Sequence, residues 1–198
     1  PEVGTVFDRV VAEGANVIFS TTSEYQDAAL EAANKYPDVI FEQLCGFKRA
    51  KNLGTMMTDL WQGFYLDGLA AGAVTKTNKL GVVACIPIPD VLRHINAFTI
   101  GAREVNPDVE VYVVWLFTWF DPAKAKEAAI SLIEGQNCDA IVSIESTPSV
   151  LQTAQEYQEK GKKVWGFSHF SDMRKFGPDA HLSGHIANWE PLFEDVLI

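Results

Sequence analysis

The sequence predicts an α/β fold with parallel sheets, and two patterns carry this prediction. Short apolar runs of strand length recur along the 198 residues, and most are separated by segments with apolar residues at helical spacing. The apolar runs lack strict alternation with polar residues, which is typical of strands that helices cover on both faces. Such strands pair in parallel and are joined by right-handed crossovers through a helix.

The individual elements follow from spacing and from residues that start or stop a helix. Asp121-Pro122 and Gly135 bracket one predicted helix, and Pro37 ends an earlier one. The predicted helices are residues 5–13, 24–36, 58–74, 91–104, 122–135, 148–160 and 190–198. The predicted strands are residues 16–19, 39–44, 80–85, 109–115, 140–144, 163–167 and 181–186.

The ends of the chain and a polar stretch at 76–79 indicate how it is organised. The polar stretch lies between a long predicted helix and the next strand, and it marks a boundary. The chain begins with Pro1 rather than Met, and both ends fall within helical patterns. We therefore expect the interior of a longer protein, incomplete at both ends, with its targeting information upstream.

Composition excludes some classes of protein. The formal net charge is −10, and the one dense basic cluster at 48–51 is too small to neutralise a phosphate backbone, so no nucleic-acid partner is expected. No run of about 18 apolar residues occurs, so no membrane-spanning helix is predicted.

Motifs for catalysis are missing from the sequence. The four histidines form no metal-binding pair on a predicted helix, and the three cysteines lack metal-ligand spacing. No nucleophile elbow and no glycine-rich phosphate loop follows a strand. We therefore expect a binding protein that is not an enzyme and that carries no metal and no cofactor.

An aromatic turn follows the fourth predicted strand, at the edge where parallel sheets bind ligands. Trp115 and Phe117 are assigned to the core because they fall on one face of the strand. Trp119 and Phe120 lie beyond it, where a large apolar ring has no structural need and can stack on a planar ligand.

Polar turns follow three other predicted strands. The carboxyl ends of parallel strands meet at one edge of each sheet, where hydroxyls and carboxylates can recognise a small ligand. Ser146 is also expected to cap the helix that follows it. The candidate polar contacts are Ser23, Tyr25 and Asp27 after the first strand, Ser146 after the fifth, and Ser168 and Asp172 after the sixth.

Five segments together resemble the BMP (basic membrane protein) family of ABC-transporter substrate-binding lipoproteins. The longest, residues 87–98, reads Pro-Ile-Pro-Asp-Val-Leu-Arg-His-Ile-Asn-Ala-Phe. The others are residues 46–50, 63–72, 118–127 and 171–173. The resemblance extends over essentially the whole chain.

The resemblance implies a type I periplasmic binding protein, in which two Rossmann-like lobes close on a ligand in the cleft between them. Residues 1–77 are then the rest of the N-terminal lobe, 78–182 the C-terminal lobe, and 183–198 a crossing strand and helix that return to the first lobe. The implied ligand is a purine base or nucleoside. The implied partner is a membrane permease, and the protein is expected to be an extracytoplasmic monomer, lipid-anchored through a Cys outside this sequence.

The resemblance also assigns roles to residues. Trp119 matches the position where an aromatic ring stacks on the base, Tyr25 and Asp27 fall in a first-lobe loop, and Ser146 falls in a second-lobe loop. Nucleoside-binding members carry Gly-x-Asp-x-Asp after the sixth strand, and this chain has Ser168 in place of the first Asp. This departure favours a free base such as adenine or hypoxanthine, although Asp172 could replace the lost carboxylate.

Two alternatives remain open from the sequence. An enzyme such as a nucleoside hydrolase can share this architecture, because fold alone does not determine function. A cluster of carboxylates at one strand end would favour that alternative. A ligand-sensing receptor domain is the other, since similar lobes could pass the state of a ligand to a partner.

Overall fold

The computed structural model describes residues 2–197, and within this range it confirms the predicted α/β fold with parallel sheets. One sheet has three strands in the order β1-β2-β3, and the other has five in the order β5-β4-β6-β7-β8. Every neighbouring pair of these strands is parallel. The strands are β1 Val17–Ser20, β2 Ile40–Leu44, β3 Leu53–Met56, β4 Lys79–Ala84, β5 Glu110–Trp115, β6 Ala140–Ile144, β7 Trp165–Ser168 and β8 His181–Gly184.

The helices agree with the predicted segments, with shifts of a few residues at their ends. They are α1 Val3–Ala12, α2 Gln26–Lys35, α3 Leu60–Val74, α4 Pro89–Val105, α5 Pro122–Ile130, α6 Ser149–Glu159 and α7 Glu190–Leu197. A π-type turn, Ser131–Gly135, extends α5, and short 3-10 turns form at Ser23–Tyr25 and Arg174–Phe176. The last residue of the predicted helix 190–198 lies outside the described residues.

One strand was not predicted. β3 has only four residues, Leu53–Met56, and Gly54 and Thr55 at its centre interrupt any apolar run. Pairing with β2 supplies its hydrogen bonds, and its two ends, Leu53 and Met56, are buried. The strand therefore depends on its neighbour rather than on a local apolar signal.

The described residues form two compact units. Unit 1 comprises the residues up to Thr58 together with those from Trp189 onward, and unit 2 comprises Asp59–Asn188. This grouping differs from the expected boundary after residue 77, because α3 is grouped with the second unit. The division into lobes expected from the sequence stays a prediction.

Close backbone packing explains why α3 is grouped with α4. A Cβ atom added to Gly68 would meet the Phe98 carbonyl, and one added to Gly101 would meet the Tyr65 carbonyl. The small residues of the segment 63–72 therefore serve close helix packing. The buried Asp139 at the start of β6 also holds the end of α3, since its carboxylate accepts a 2.6 Å hydrogen bond from Thr75 Oγ1.

Unit 1 has its own apolar core between the three-stranded sheet and the helices α1 and α2. Phe7 of α1 meets Phe41 of β2 edge to face, with ring centroids 5.9 Å apart. Phe193 of α7 meets Phe19 of β1 in the same geometry at 4.7 Å. The helix at the end of the described chain thus packs on the first strand.

In unit 2, helices cover both faces of the five-stranded sheet. Val82 on β4 faces a core cluster built with α3 and α4, whereas the adjacent Val83 faces a second cluster built with α5 and α6. Both side chains are fully buried. Because residues alternate between the two faces of a strand, each central strand contributes to both clusters, and this explains its continuous apolar run.

We expect Gly68→Ala to destabilise unit 2 by about 1–3 kcal/mol, because a methyl group would push α3 away from the Phe98 carbonyl of α4. Urea unfolding of the purified protein measures this. Gly135→Ala is the matched control, since the nearest atom to a Cβ there is Ser131 Oγ at 3.9 Å. A Gly68→Ala protein as stable as the control would contradict the proposed contact.

Candidate functional site

The order of the strands in unit 2 creates a crevice at the carboxyl ends of β4 and β6. The chain passes from β4 to β5 on one side, and β6 pairs with β4 on the other side. Ligands of open α/β sheets bind where the strand order reverses in this way. The turns that follow β5, β6, β7 and β8 lie along the same edge, because all these strands are parallel.

The turn after β5 holds Trp119 against the core and against the next turn. Trp119 is half-buried and packs on the cluster formed by α3 and α4. Its carbonyl oxygen accepts a 2.9 Å hydrogen bond from the backbone N–H of Ser146. The structure therefore joins two of the predicted site residues, from turns that are 27 residues apart along the chain.

The other residues of this turn have different environments. Asp121 caps α5 as predicted, since its Oδ1 accepts a 3.0 Å hydrogen bond from the Lys124 N–H. Phe120 is 65% exposed and remains a candidate ligand contact. The core assignment of Phe117 was wrong, because this side chain is 71% exposed on a residue with a positive φ of 55°. Because the backbone is left-handed at Phe117, its side chain does not continue the alternation of side chains along β5.

In the turn after β6, Ser146 does not cap the following helix, as the sequence had predicted it would. Helix α6 begins at Ser149, and the Thr147 hydroxyl, not Ser146, accepts a hydrogen bond from the Ser149 N–H at 3.2 Å. Ser146 is exposed, and its backbone rather than its side chain holds the turn. Its hydroxyl can reach a ligand, so it stays a candidate contact.

A buried carboxylate in the same turn was not among the predicted site residues. Glu145 is 1% exposed and accepts hydrogen bonds from the Thr147 N–H at 2.7 Å and from the Thr147 hydroxyl at 3.1 Å. Burial raises the pKa of Glu145 to about 7, and the bonds from Thr147 offset part of that effect. The turn after β6 therefore contains a buried carboxyl group with a pKa near neutral pH.

The two candidates after β7 are both held by neighbouring side chains. Ser168 is buried, its Oγ lies 2.7 Å from His181 Nε2, and it accepts a 3.0 Å hydrogen bond from the Met173 N–H. Asp172 is exposed and forms an ion pair with Arg174, whose hydrogen bonds hold the pKa of Asp172 well below its usual range. Neither group is organised to receive two vicinal hydroxyls.

The remaining candidates lie in unit 1, after β1. Ser23 and Tyr25 form the 3-10 turn, and Tyr25 is 38% exposed. Asp27 lies in the first turn of α2 and pairs with Lys48. Their part in a ligand site stays a prediction.

A cluster of buried polar rings in unit 2 was missed from the sequence. Three histidine rings surround the fully buried Phe64, with centroid distances of 4.7 Å for His94, 5.2 Å for His169 and 4.5 Å for His185. Asp67, which is 1% exposed, lies 3.0 Å from His185 Nδ1. We call these five residues the histidine cluster.

No sequence signal could have found the histidine cluster, because its members come from four separate elements. Phe64 and Asp67 lie on α3, His94 lies on α4, and His169 and His185 directly follow β7 and β8. Gly63 makes room for it, since a Cβ atom there would come within 2.6 Å of the His185 side chain. Only the packing of α3 and α4 on the sheet brings these residues together.

Burial keeps two of these imidazoles uncharged. It lowers the pKa of His94 to about 4, although the nearby Asp90 opposes the shift. Burial also holds the pKa of His169 well below its usual range, and the neighbouring histidines add to that effect. At neutral pH these two rings are therefore neutral hydrogen-bonding groups rather than cations.

Two further features of the described residues bear on function. Residues 2–197 contain no group of three or more His, Cys, Asp or Glu side chains placed to hold a metal ion. Within the same range, no helix has the length and apolar character needed to cross a membrane.

A groove of about 700 Å³ lies on α3 and α4, and it contains none of the predicted site residues. Trp61 and Tyr65 line it from α3, and Leu92 and Ile100 line it from α4. We place the candidate site at the carboxyl ends of the strands instead, because the turns there combine an aromatic ring with convergent polar groups.

Comparison with known families identifies the chain. The model of the Bmp family, described as ABC transporter substrate-binding protein PnrA-like, matches residues 3–198. The chain belongs to the Bmp family. The resemblance seen in the sequence motifs is thereby confirmed, and the family consists of substrate-binding proteins of ABC transporters.

Two similar proteins carry names with different ligands. A putative ABC transporter glucose-binding protein, TsgA13 of Haloferax volcanii, is 37% identical over 192 residues, which are 97% of this chain and 48% of that protein. The purine-binding protein BAB2_0673 of Brucella abortus is 36% identical over 187 residues, which are 94% of this chain and 52% of that protein. The chain thus spans about half the length of these relatives.

Solved structures agree on the fold. A solute-binding protein of an ABC transporter system from Aeropyrum pernix superimposes with a TM-score of 0.80, over 92% of this chain and 55% of that chain, at 17% identity. The Bmp chain therefore has the fold of type I periplasmic binding proteins, as the sequence predicted.

We expect Glu145→Gln to change how the free energy of unfolding depends on pH. The raised pKa of Glu145 means that its contribution to stability is present below about pH 4.5 and is lost as pH rises through about 7. The free energy of unfolding of Glu145→Gln, minus that of the wild type, should therefore rise by about 3 kcal/mol across this range.

The lowered pKa of His94 acts in the opposite direction, since its contribution to stability is lost as pH falls from 6.5 through about 4. The two effects offset each other in the wild type, and Glu145→Gln uncovers the histidine effect. Denaturant unfolding at a series of pH values measures both curves. Glu127→Gln, at an exposed position, controls for the loss of a glutamate charge. Parallel curves for Glu145→Gln and the wild type would refute the assignment.

Proposed function

We propose that this Bmp-family chain is the ligand-recognising part of an extracytoplasmic substrate-binding protein that delivers a purine base to an ABC permease. The observation that carries the proposal is the Trp119 turn. Its half-buried indole packs against the core at the edge of the sheet where α/β proteins bind ligands, and the backbone carbonyl of Trp119 accepts a hydrogen bond from the Ser146 N–H. The Brucella relative named as a purine-binding protein supports the same ligand class.

A fixed indole suits a planar ligand. Stacking of a base on an aromatic ring is worth about 1–3 kcal/mol, and a ring held in place loses little conformational freedom on binding. Phe120 offers a second exposed ring beside it, and the Ser146 hydroxyl offers a polar contact from the next turn. Apolar contact thus supplies affinity, while polar groups at the strand ends supply orientation.

The surroundings of Ser168 favour a free base over a nucleoside. Ribose offers two vicinal hydroxyls, which bind well to a carboxylate that accepts both. Ser168 has no carboxylate, and its hydroxyl is engaged by His181 and by the Met173 N–H. Asp172 is committed to Arg174, so it does not replace the missing group.

A sugar is the second candidate ligand, because the Haloferax relative is named as a putative glucose-binding protein. Sugar sites also use aromatic rings and carboxylates, and Glu145 could serve such a site. The purine proposal requires that glucose bind more weakly than adenine. Ser23, Tyr25 and Asp27 remain candidate contacts on unit 1 under either ligand. Lipid anchoring and a monomeric state remain predictions from the family resemblance.

We expect Trp119→Ala to weaken adenine binding in the complete protein by about 1–3 kcal/mol, which is about 5- to 150-fold in Kd, through the loss of stacking. Isothermal titration calorimetry measures the affinity. Trp165→Ala is the matched control. Trp165 packs against the same core cluster as Trp119, but it lies at the amino end of β7, on the opposite edge of the sheet from the Trp119 turn. Equal affinity losses in the two variants would assign Trp119 to the core alone.

We expect adenine or hypoxanthine to bind about tenfold more tightly than adenosine or inosine, a difference of about 1.4 kcal/mol, because no carboxylate is available for the ribose hydroxyls. Calorimetry on the complete protein compares the four ligands with glucose. If a nucleoside bound as tightly as its base, the preference for a base would be wrong. If glucose bound more tightly than every purine, the sugar candidate would replace the proposal.

A further inference from the structure

The histidine cluster contains a hydrogen-bonded chain that fixes the orientation of two rings. Asp67 Oδ2 lies 3.0 Å from His185 Nδ1, and His185 Nε2 lies 3.0 Å from His169 Nδ1. A carboxylate only accepts hydrogen bonds, so His185 Nδ1 donates to Asp67. The bond between the two rings uses His185 Nε2 and His169 Nδ1, so the other ring nitrogen of His169, Nε2, takes no part in this chain. The chain thus fixes the orientation of the His169 ring and leaves its Nε2 atom for another partner.

His94 has the opposite character, because nothing satisfies its ring nitrogens. The ring is 2% exposed and stacks on Phe64 at an interplanar angle of 20°. Neither Nδ1 nor Nε2 has a hydrogen-bond partner among the described residues. Asp90 Oδ1 is 3.7 Å from Nε2, beyond hydrogen-bond distance, and it is engaged by Arg93.

Such an arrangement is costly for folding alone. A neutral imidazole always carries one donor and one acceptor, and a buried polar group without a partner destabilises the folded state. A phenylalanine at this position would keep the stack on Phe64 without that cost. Unpaired buried polar groups therefore point to a partner that arrives from outside the chain.

The position of the histidine cluster connects it with the candidate site. His169 and His185 are the first residues after β7 and β8, at the same edge of the sheet as the Trp119 turn. Trp119 and Phe64 pack in one core cluster, so both lie on the α3–α4 face of this sheet. The Trp119 indole, which can stack on a ligand, and the unpaired nitrogens of the histidine cluster thus lie on the same face and at the same edge of the five-stranded sheet.

Phe170 is an exposed neighbour of the histidine cluster. Its ring is 39% exposed and lies 3.8 Å from the buried His169 ring, measured between centroids. Its backbone is left-handed, with φ of 62°, a conformation that phenylalanine seldom adopts. The Phe170 ring therefore lies between the solvent and one side of the buried His169 ring.

We propose that the histidine cluster is the polar recognition subsite, in which His94 and His169 bind the donor and acceptor atoms on the edge of a neutral planar heterocycle. Adjacent donors and acceptors of this kind are the chemistry of a nucleobase edge. The one carboxylate of the cluster, Asp67, is already engaged by His185, and the two rings that face the ligand, His94 and His169, are neutral. The cluster therefore selects an uncharged ligand, because neutral rings cannot compensate the desolvation of an ion. This inference rests on the proposed function and names the residues that give it specificity.

The test compares His94→Phe with His94→Gln in the complete protein. His94→Phe should raise the unfolding midpoint of the ligand-free protein, because it removes the unpaired nitrogens, and it should weaken adenine binding at least tenfold. His94→Gln keeps a donor and an acceptor and should retain part of the affinity. If His94→Phe bound adenine as tightly as the wild type, the inference would be overturned, and purine binding itself would stand.

A second measurement does not depend on the folding of a variant. Nitrogen NMR of the histidine rings in the wild type, during titration with adenine, should show shifts at His94 and His169. His181, the histidine outside the cluster, should change less and serves as the internal control. Adenine binding without a shift at His94 would overturn the inference alone, whereas no adenine binding by the wild type would overturn the proposed function together with it.

Discussion

The parallel pairing of β4 with β5 on one side and β6 on the other is the constraint on which the candidate site depends. β4 pairs with β5 from Lys79 opposite Glu110 to Ala84 opposite Trp115. It pairs with β6 from Leu80 opposite Ala140 to Ala84 opposite Ile144. Because the strands are parallel, their carboxyl ends meet at one edge, and the reversal of strand order opens a crevice there. The Trp119 turn follows β5 and the Glu145 turn follows β6, so strand order alone places both turns at this edge.

Close packing of α3 on α4 determines what else reaches this edge. Gly68 and Gly101 let the two helix backbones touch, and this contact sets the positions of Phe64 and Asp67 on one helix and of His94 on the other. The histidine cluster forms only because both helices also pack on the sheet. Stability and recognition therefore share one set of contacts, and a change in the helix contact would move the polar groups as well.

Burial shifts three ionisable groups of unit 2 toward their uncharged forms, although the chain as a whole has a net charge of −10. Burial lowers the pKa of His94 and of His169 and raises the pKa of Glu145, so each shift favours the uncharged form. The Asp172–Arg174 pair lies at the surface, whereas the buried carboxylates Asp67 and Asp139 are each held by a hydrogen bond, to His185 and to Thr75. A site of this kind suits a neutral ligand that combines an aromatic surface with hydrogen-bonding atoms.

The sequence by itself determined the α/β class, most helices and strands, the Asp121 cap and the family, because apolar periodicity and turn residues act locally. It also identified Trp119 as a candidate ligand contact, since core packing does not require a large aromatic ring beyond the end of a strand. Only the tertiary structure decided that β3 exists, that Phe117 is exposed, and that the Ser168 hydroxyl forms a hydrogen bond with His181. It alone assembled the histidine cluster, because hydrogen bonds between residues as far apart as Asp67 and His185 depend on helix packing, which leaves no trace in local sequence.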